Sequence, residues 1–177
     1  YLDFYPSVWK MIPYPDGTLT WSHMWFVVYL FTFILLLTPV FFLFKIPWVA
    51  RFKEKSATML SKPLAMAGLS LPLLAIYHGL YLDWPEQGSL FDDWFVFSFS
   101  ITLLLYGFIL GGSSIFWNNC EKYRRYWLGT AVVCICLLYA FFWWPVNLPK
   151  TYGLKYSAYA TLNSIEIWML LLAICGY

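Results

Sequence analysis

Two histidines and one embedded glutamate are the side chains of this sequence best suited to proton transfer or metal binding. His23 stands in SHMWF at the start of a long apolar run, His78 stands in LAIYHGLYLDW, and Glu166 stands in TLNSIEIWMLLL. An imidazole can serve as a general base or can ligate haem iron. A carboxylate inside an apolar segment marks a functional hypothesis, because its charge is costly to bury without a partner.

The composition identifies the surroundings of these side chains as a lipid bilayer. Hydrophobic residues make up 62% of the 177 residues and charged residues 11%, against roughly 45–50% and about 25% in soluble domains. The net charge of +2 is too small to indicate a nucleic-acid partner. We therefore predict an integral membrane protein.

Five apolar stretches are long enough to cross a hydrocarbon core, which takes around 20 helical residues. They span residues 22–44, 63–82, 93–117, 127–148 and 158–175. Because the connections are short, consecutive helices are expected to pack antiparallel. Residues 1–177 are thus predicted to form a single all-α, multi-pass transmembrane helical bundle, with residues 1–21 as an external aromatic-rich segment.

Lysine and arginine are shared unequally between the two predicted sides. The connections 45–62 and 118–126 together hold eight of them, and the opposite side holds three. The excess of basic residues in cytoplasmic loops predicts that 46–62 and 118–126 are cytoplasmic and that 83–92 and 149–157 are external. His23 and His78 then lie near the outer face, with Glu166 about 12 Å below the start of its helix.

The remaining motifs indicate structure or lipid contact. The spacing of the four cysteines matches neither zinc ligands nor a redox pair, and no H-E-x-x-H, G-x-S-x-G or phosphate-binding glycine loop is present. We predict no metal site and no permanently bound cofactor. Gly107, Gly111 and Gly112 are typical of close helix packing. The basic stretches RFKEK and EKYRR indicate topology and anionic lipid, or alternatively a coenzyme A thioester.

Three stretches carry a resemblance to a known family. SHMWFVVYLFTFILLLTPVF resembles the H-L-W-F-L-x-x-L helix of the bacterial membrane acyltransferase 3 family, in its branch similar to the glucan-biosynthesis protein C. DWFVFSFSITLLLYGFILGGSSIFWNNCEKYRRYWL resembles the family's helix and turn that end in a basic cluster. SAYATLNSIEIWMLLLAICGY resembles a late helix in which Asn163, Trp168 and Gly176 match the pattern S-x-N-x-W-x-W-x-L-x-L-x-G.

The resemblance implies an O-acyltransferase of the bacterial inner membrane with about ten helices, of which this chain is the C-terminal part. Such an enzyme moves an acyl group from cytoplasmic acyl-CoA to a hydroxyl of an external glycan or glycolipid. The family's catalytic pair, a basic residue and a histidine about eleven positions apart, is not on this chain. Lys10 and His23 are thirteen apart, in the wrong element. The main catalytic residues are therefore expected on the missing helices.

Within this interpretation, His23 and Glu166 are supporting catalytic residues near the acceptor. The expected substrate-binding residues are Trp25, His78, Asn163, Arg124 and Arg125.

Two other classes of protein remain open at the level of sequence. His23 and His78 on adjacent helices could ligate haem in a subunit of a membrane respiratory assembly, which a Soret band would reveal. A transporter would need broken helices arranged in inverted repeats, and the sequence has no such symmetry.

Overall fold

The computed structural model describes residues 25–84, 93–144 and 148–177, and these ranges contain helices and no strand. The helices are α1 Trp25–Leu43, α2 Pro47–Leu60, α3 Pro63–Gly68, α4 Ser70–Leu80, α5 Trp94–Leu110, α6 Ser114–Leu138 and α7 Leu154–Gly176. A π-helical turn, Tyr139–Trp143, extends α6. The predicted all-α class is confirmed. Residues 1–21 and His23 lie outside the described residues.

Three helical spans are long and apolar enough to cross a membrane: Pro63–Leu80, Ser114–Trp143 and Leu154–Gly176. The helices α1 and α2 together pass the same test but are bent by 108° relative to each other. The apolar helix α5 has 17 residues. These helices are those of a multi-pass membrane protein, and the first, second and fifth predicted segments coincide with α1, α3–α4 and α7 to within a few residues.

The span Pro63–Leu80 is interrupted at Leu69, between α3 and α4. Pro72 accounts for the position, because its ring lacks an N–H and crowds the carbonyl four residues earlier, that of Gly68. The Trp168 Nε1 of α7 donates a hydrogen bond of 2.6 Å to the Met66 carbonyl beside this break. Pro72 therefore produces a short helix break, and a hydrogen bond from α7 stabilises it.

The predicted cytoplasmic loop 46–62 is mostly helical, since it contains α2. Pro47 occupies the first turn and Ile46 before it is extended, as expected for proline at a helix start. The four basic residues of this stretch favour a loop when only the sequence is considered. The helix is amphipathic rather than uniformly apolar, so a search for apolar spans does not find it.

The boundary between the third and fourth predicted segments is also wrong. The helix α5, which corresponds to the third predicted segment, ends at Leu110 and α6 begins at Ser114. The predicted loop 118–126 therefore lies inside α6. Gly111 and Gly112 have low helix propensity, and Ser113 caps the new helix by accepting a hydrogen bond from the Phe116 amide. Because EKYRR is charged, hydropathy predicts a loop where α6 and its π-helical turn form one continuous helix from Ser114 to Trp143.

Contacts between helices define two ends of the bundle. At one end Asn119 Nδ2 donates to the Ser61 carbonyl (2.8 Å); we call residues 44–62, 111–126 and 176–177 the basic end. At the other end Tyr152 Oη donates to Asp83 Oδ2 (2.8 Å); we call residues 78–84, 93, 139–144 and 148–157 the His78 end. The two lysine-rich connections thus share one end, as the charge distribution predicted.

The centre of the bundle is α7. It packs against α6 along its length and against α4, and its buried side chains include Tyr156, Ala160, Trp168 and Leu172. The helix α1 lies along α5 through ring contacts such as Phe41–Phe108, with centroids 4.4 Å apart. This arrangement places one polar cluster at the His78 end and an apolar groove near the basic end.

Candidate functional site

His78 lies in the last turn of α4 and joins that helix to α7. Its Nε2 is 3.0 Å from Ser157 Oγ, and its ring meets the edge of Tyr156 with centroids 5.1 Å apart. Tyr156, fully buried, donates its hydroxyl to the Tyr77 carbonyl at 2.6 Å. The Nε2 that would ligate haem iron is therefore already hydrogen-bonded to a neighbouring helix.

Aromatic rings fill the space beneath His78. Tyr77 stacks on Tyr81 (centroids 4.6 Å apart) and meets Phe95 edge-on (5.0 Å). Tyr159 of α7 closes the cluster against Phe142 of the π-helical turn (5.2 Å). Ring pairs at these distances add to the stability that burial gives. The cluster joins α4, α5, α7 and the π-helical turn at the His78 end.

A second polar contact at the His78 end joins Tyr152 to Asp83, both of which are exposed. The hydrogen bond from the Tyr152 hydroxyl to this carboxylate raises the pKa of Tyr152, and the negative charge of Asp83 acts in the same direction. Asp83 thereby tethers the segment before α7 to the segment after α4.

Glu166 is half-buried on α7, and the Cys134 thiol of α6 is close enough to interact with it electrostatically. Within the described ranges no side chain forms a hydrogen bond or an ion pair with the carboxylate. A polar partner that would offset the cost of burying this carboxylate is therefore not found among the described residues. Nor does Glu166 join His78: it is nine residues from Ser157, about 13.5 Å along α7 at 1.5 Å per residue.

The Asn163 side chain forms a hydrogen bond with the backbone of its own helix, α7. It is buried, and its Nδ2 donates to the Tyr159 carbonyl of the same helix at 2.8 Å. Ser164 does likewise with the Ala160 carbonyl. This amide nitrogen is thus occupied within its own helix, and the expected substrate-binding role of Asn163 stays a prediction. Trp25 begins α1, and its side chain, like His23, lies outside what the structure describes.

An apolar groove of about 290 Å³ runs between α5, the start of α6 and α7. Its lining residues are Leu103, Tyr106, Gly107, Leu110, Gly111, Phe116, Trp117, Trp168, Leu171, Leu172 and Cys175. The polar atoms of its three amphipathic side chains are satisfied elsewhere: Tyr106 Oη donates to Leu69, Trp117 Nε1 to Gly111 and Trp168 Nε1 to Met66. The groove wall is therefore suited to hydrocarbon.

Gly107 lines the groove and does not lie at a helix crossing. A side-chain carbon added at Gly107 or Gly112 would meet nothing within 4 Å. The expectation of close helix packing at these glycines is therefore wrong for the described part of the chain. Close approach occurs instead at Gly176, where an added carbon would clash with the Cys120 carbonyl and lie 2.9 Å from Arg124 Cβ.

The two predicted arginines lie on α6 at the basic end, and Arg124 is near the groove. Arg124 of α6 is half-buried with its guanidinium 4.9 Å from the centre of the Tyr177 ring, whereas Arg125 is exposed. Cys175, which lines the groove, is two residues from Tyr177. The apolar groove thus adjoins the basic end. Both lie away from His78, which is at the opposite end of the bundle.

Sequence reasoning missed Asp93. This carboxylate is 1% exposed, precedes α5, and accepts a hydrogen bond of 3.3 Å from the Tyr29 hydroxyl of α1. Its position directly before an apolar helix is the signal for a residue at a helix start, whereas hydropathy places it only at a segment boundary.

Searches with protein-family models, curated proteins and solved structures found no match to this chain. The resemblance to the acyltransferase family rests on the quoted sequence motifs.

Proposed function

We propose that the protein is an integral membrane O-acyltransferase-like protein of the bacterial inner membrane. It moves an acyl group from cytoplasmic acyl-CoA to a hydroxyl of an external glycan or glycolipid. The observation that carries the proposal is the apolar groove beside the basic end, because this reaction requires a hydrocarbon site next to a site for phosphate.

The size of the groove supports an acyl chain as its occupant. An apolar cavity of about 150 Å³ takes up a benzene ring, so a groove of about 290 Å³ holds a longer hydrocarbon. Burying each methylene of the chain contributes about 0.8 kcal/mol. The absence of free donors on the tyrosine and tryptophans of its wall favours an aliphatic chain over a polar ligand.

The basic end supports the charged part of the donor. Arg124 and Arg125 follow Lys122 on α6, and guanidinium groups bind phosphate through paired hydrogen bonds. In this proposal the coenzyme A phosphates lie against these arginines while the acyl chain enters the groove. The cytoplasmic location of the basic end, taken from its excess of lysine and arginine, agrees with the location of acyl-CoA.

The reaction needs a base to take the proton from the acceptor hydroxyl and a positive group to stabilise the oxyanion formed on the thioester carbonyl. By the family resemblance both come from helices beyond this chain. His23, His78 and Glu166 then act as supporting residues toward the acceptor. His78, held by Ser157, is the one of the three whose described geometry suits hydrogen bonding to a sugar hydroxyl at the bundle's end.

Filling the groove tests this proposal. Gly107→Leu places a side chain into it without meeting other atoms at its first carbon, so the fold is expected to survive. Photolabelling of the reconstituted full-length protein with a diazirine-bearing acyl-CoA should fall at least tenfold. Gly129→Leu, also open at its first carbon but outside the groove, should label like the parent protein. Undiminished labelling of Gly107→Leu would contradict the assignment of the groove.

A further inference from the structure

The helix α2 has three different faces, which its sequence alone did not separate. One face packs on the bundle: Ala57 is buried, and Lys53 Nζ lies 4.0 Å from the centre of the Phe108 ring. A second face is polar and exposed, with Arg51, Glu54 and Thr58. The third face is apolar and exposed.

The apolar face is a stripe formed by Trp48, Phe52 and Met59. These side chains are 67%, 66% and 60% exposed, and their spacing of four and seven residues places them on one side of a helix with 3.6 residues per turn. Exposed side chains of this size on a single stripe indicate a surface that another apolar phase covers.

The direction of α2 specifies that phase. Its axis is turned by 108° from that of α1, so α2 lies closer to the membrane plane than to the membrane normal when α1 spans the bilayer. Helices that carry an apolar face and a strongly charged face lie in the interface between headgroups and acyl chains. The tryptophan at the start of α2 fits the same location.

Charge specifies the kind of lipid. Lys45, Arg51, Lys55 and Lys62 are all exposed on or beside α2, and no carboxylate among the described residues forms an ion pair with them. Cations at this position attract anionic headgroups and bind them within a Debye length. Glu54 is the single acidic residue of the stretch from Lys45 to Lys62.

We infer that α2 is an in-plane helix that binds anionic phospholipid of the leaflet at the basic end. Trp48, Phe52 and Met59 insert among the acyl chains, and Lys45, Arg51, Lys55 and Lys62 contact the phosphate groups. This interaction surface is independent of the proposed acyl transfer, since none of these residues borders the groove.

Spin labels test the depth of each face. Cysteines are introduced singly at positions 48, 52 and 59 and at 51, 54 and 58, in a Cys136→Ala, Cys175→Ala background that removes the exposed thiols. In vesicles of phosphatidylcholine and phosphatidylglycerol, the first three labels should collide preferentially with oxygen and the other three with a water-soluble nickel chelate. Nickel access at all six positions, or exclusion of both reagents from the stripe, would overturn the inference.

The choice of lipid is tested with charge variants in the same vesicles. Spin-labelled phosphatidylglycerol should associate with the protein in preference to labelled phosphatidylcholine, and Arg51→Gln or Lys55→Gln should each reduce that preference roughly fivefold. Lys150→Gln, an exposed lysine at the His78 end, serves as the matched control and should leave it unchanged. An unchanged preference in both α2 variants would contradict a role of α2 in binding anionic lipid.

Discussion

Gly176 is a residue at which α7 lies close to the backbone of α6. A carbon added there would lie 2.8 Å from the Cys120 carbonyl carbon and 2.9 Å from Arg124 Cβ. The first of these atoms belongs to a helix backbone that cannot move locally without disturbing its own hydrogen bonds. The match of Gly176 to a family pattern identified the residue, but the partner it approaches follows only from the packing of the two helices.

We expect Gly176→Ala to destabilise the protein by about 1–3 kcal/mol, the usual cost of overpacking. Thermal unfolding in detergent, followed by circular dichroism, measures the change. Gly129→Ala is the control, because its added carbon meets nothing within 4 Å and alanine has the higher helix propensity. Equal stability of the two variants would show that the α6–α7 approach is looser than described.

The hydrogen bond between Tyr152 and Asp83 at the His78 end makes the stability of the protein depend on pH. This bond raises the pKa of Tyr152 above the usual value, which is about 10. The protonated phenol is thus favoured in the folded protein. The stability that this bond contributes is complete below about pH 10 and is lost as pH rises through the raised pKa.

Tyr152→Phe should accordingly reduce stability at neutral pH and leave it unchanged where the phenol is already ionised. It should also remove a late-titrating component from the tyrosinate absorbance of the folded protein. Tyr126→Phe provides the comparison, because Tyr126 is also exposed and its hydroxyl forms no hydrogen bond with the described residues. If the absorbance difference between Tyr152→Phe and the parent titrates like that of Tyr126→Phe, the Tyr152–Asp83 bond is absent in solution.

At the scale of elements, hydropathy located the apolar spans but not the helices that carry charge. Both α2 and the first half of α6 lie in stretches predicted as loops, because lysine and arginine lower the hydropathy of a segment without lowering its helix propensity. The local signals were present: Pro47 at a helix start and Gly111-Gly112-Ser113 before another. Caps and breakers therefore locate helix ends in this protein better than charge does.

Which face of a helix enters the core could not be read from the apolar pattern. On α1, Phe33 is 4% exposed and Phe31 is 62% exposed, yet both are phenylalanines in one apolar run. Because lipid tails are as apolar as leucine, hydrophobicity does not distinguish the lipid-facing side from the packed side. The same ambiguity affects the candidate site, since the rotation of α7 decides that Glu166 faces Cys134 of α6.

At the scale of the whole molecule, the unequal lysine and arginine counts predicted which connections share an end, and the contacts of Asn119 and Tyr152 agree. The charges cannot position individual side chains across the bundle. The groove is formed by several helices together: α5 contributes Gly107, and α6 and α7 contribute tryptophans. The Met66 carbonyl of α3 accepts the hydrogen bond of Trp168.

The most direct test of the proposed function is acyl transfer across sealed vesicles that contain the full-length protein. Orientation is measured with an impermeant thiol reagent, in the background without exposed cysteines. The reagent labels Lys55→Cys when the basic end faces outward and Lys150→Cys when it faces inward. With the basic end outward, radiolabelled acyl-CoA added outside should acylate a glycan or glycolipid enclosed in the vesicles. Vesicles of the opposite orientation should give no product. Absence of transfer in both orientations, or equal transfer in both, would contradict the proposal.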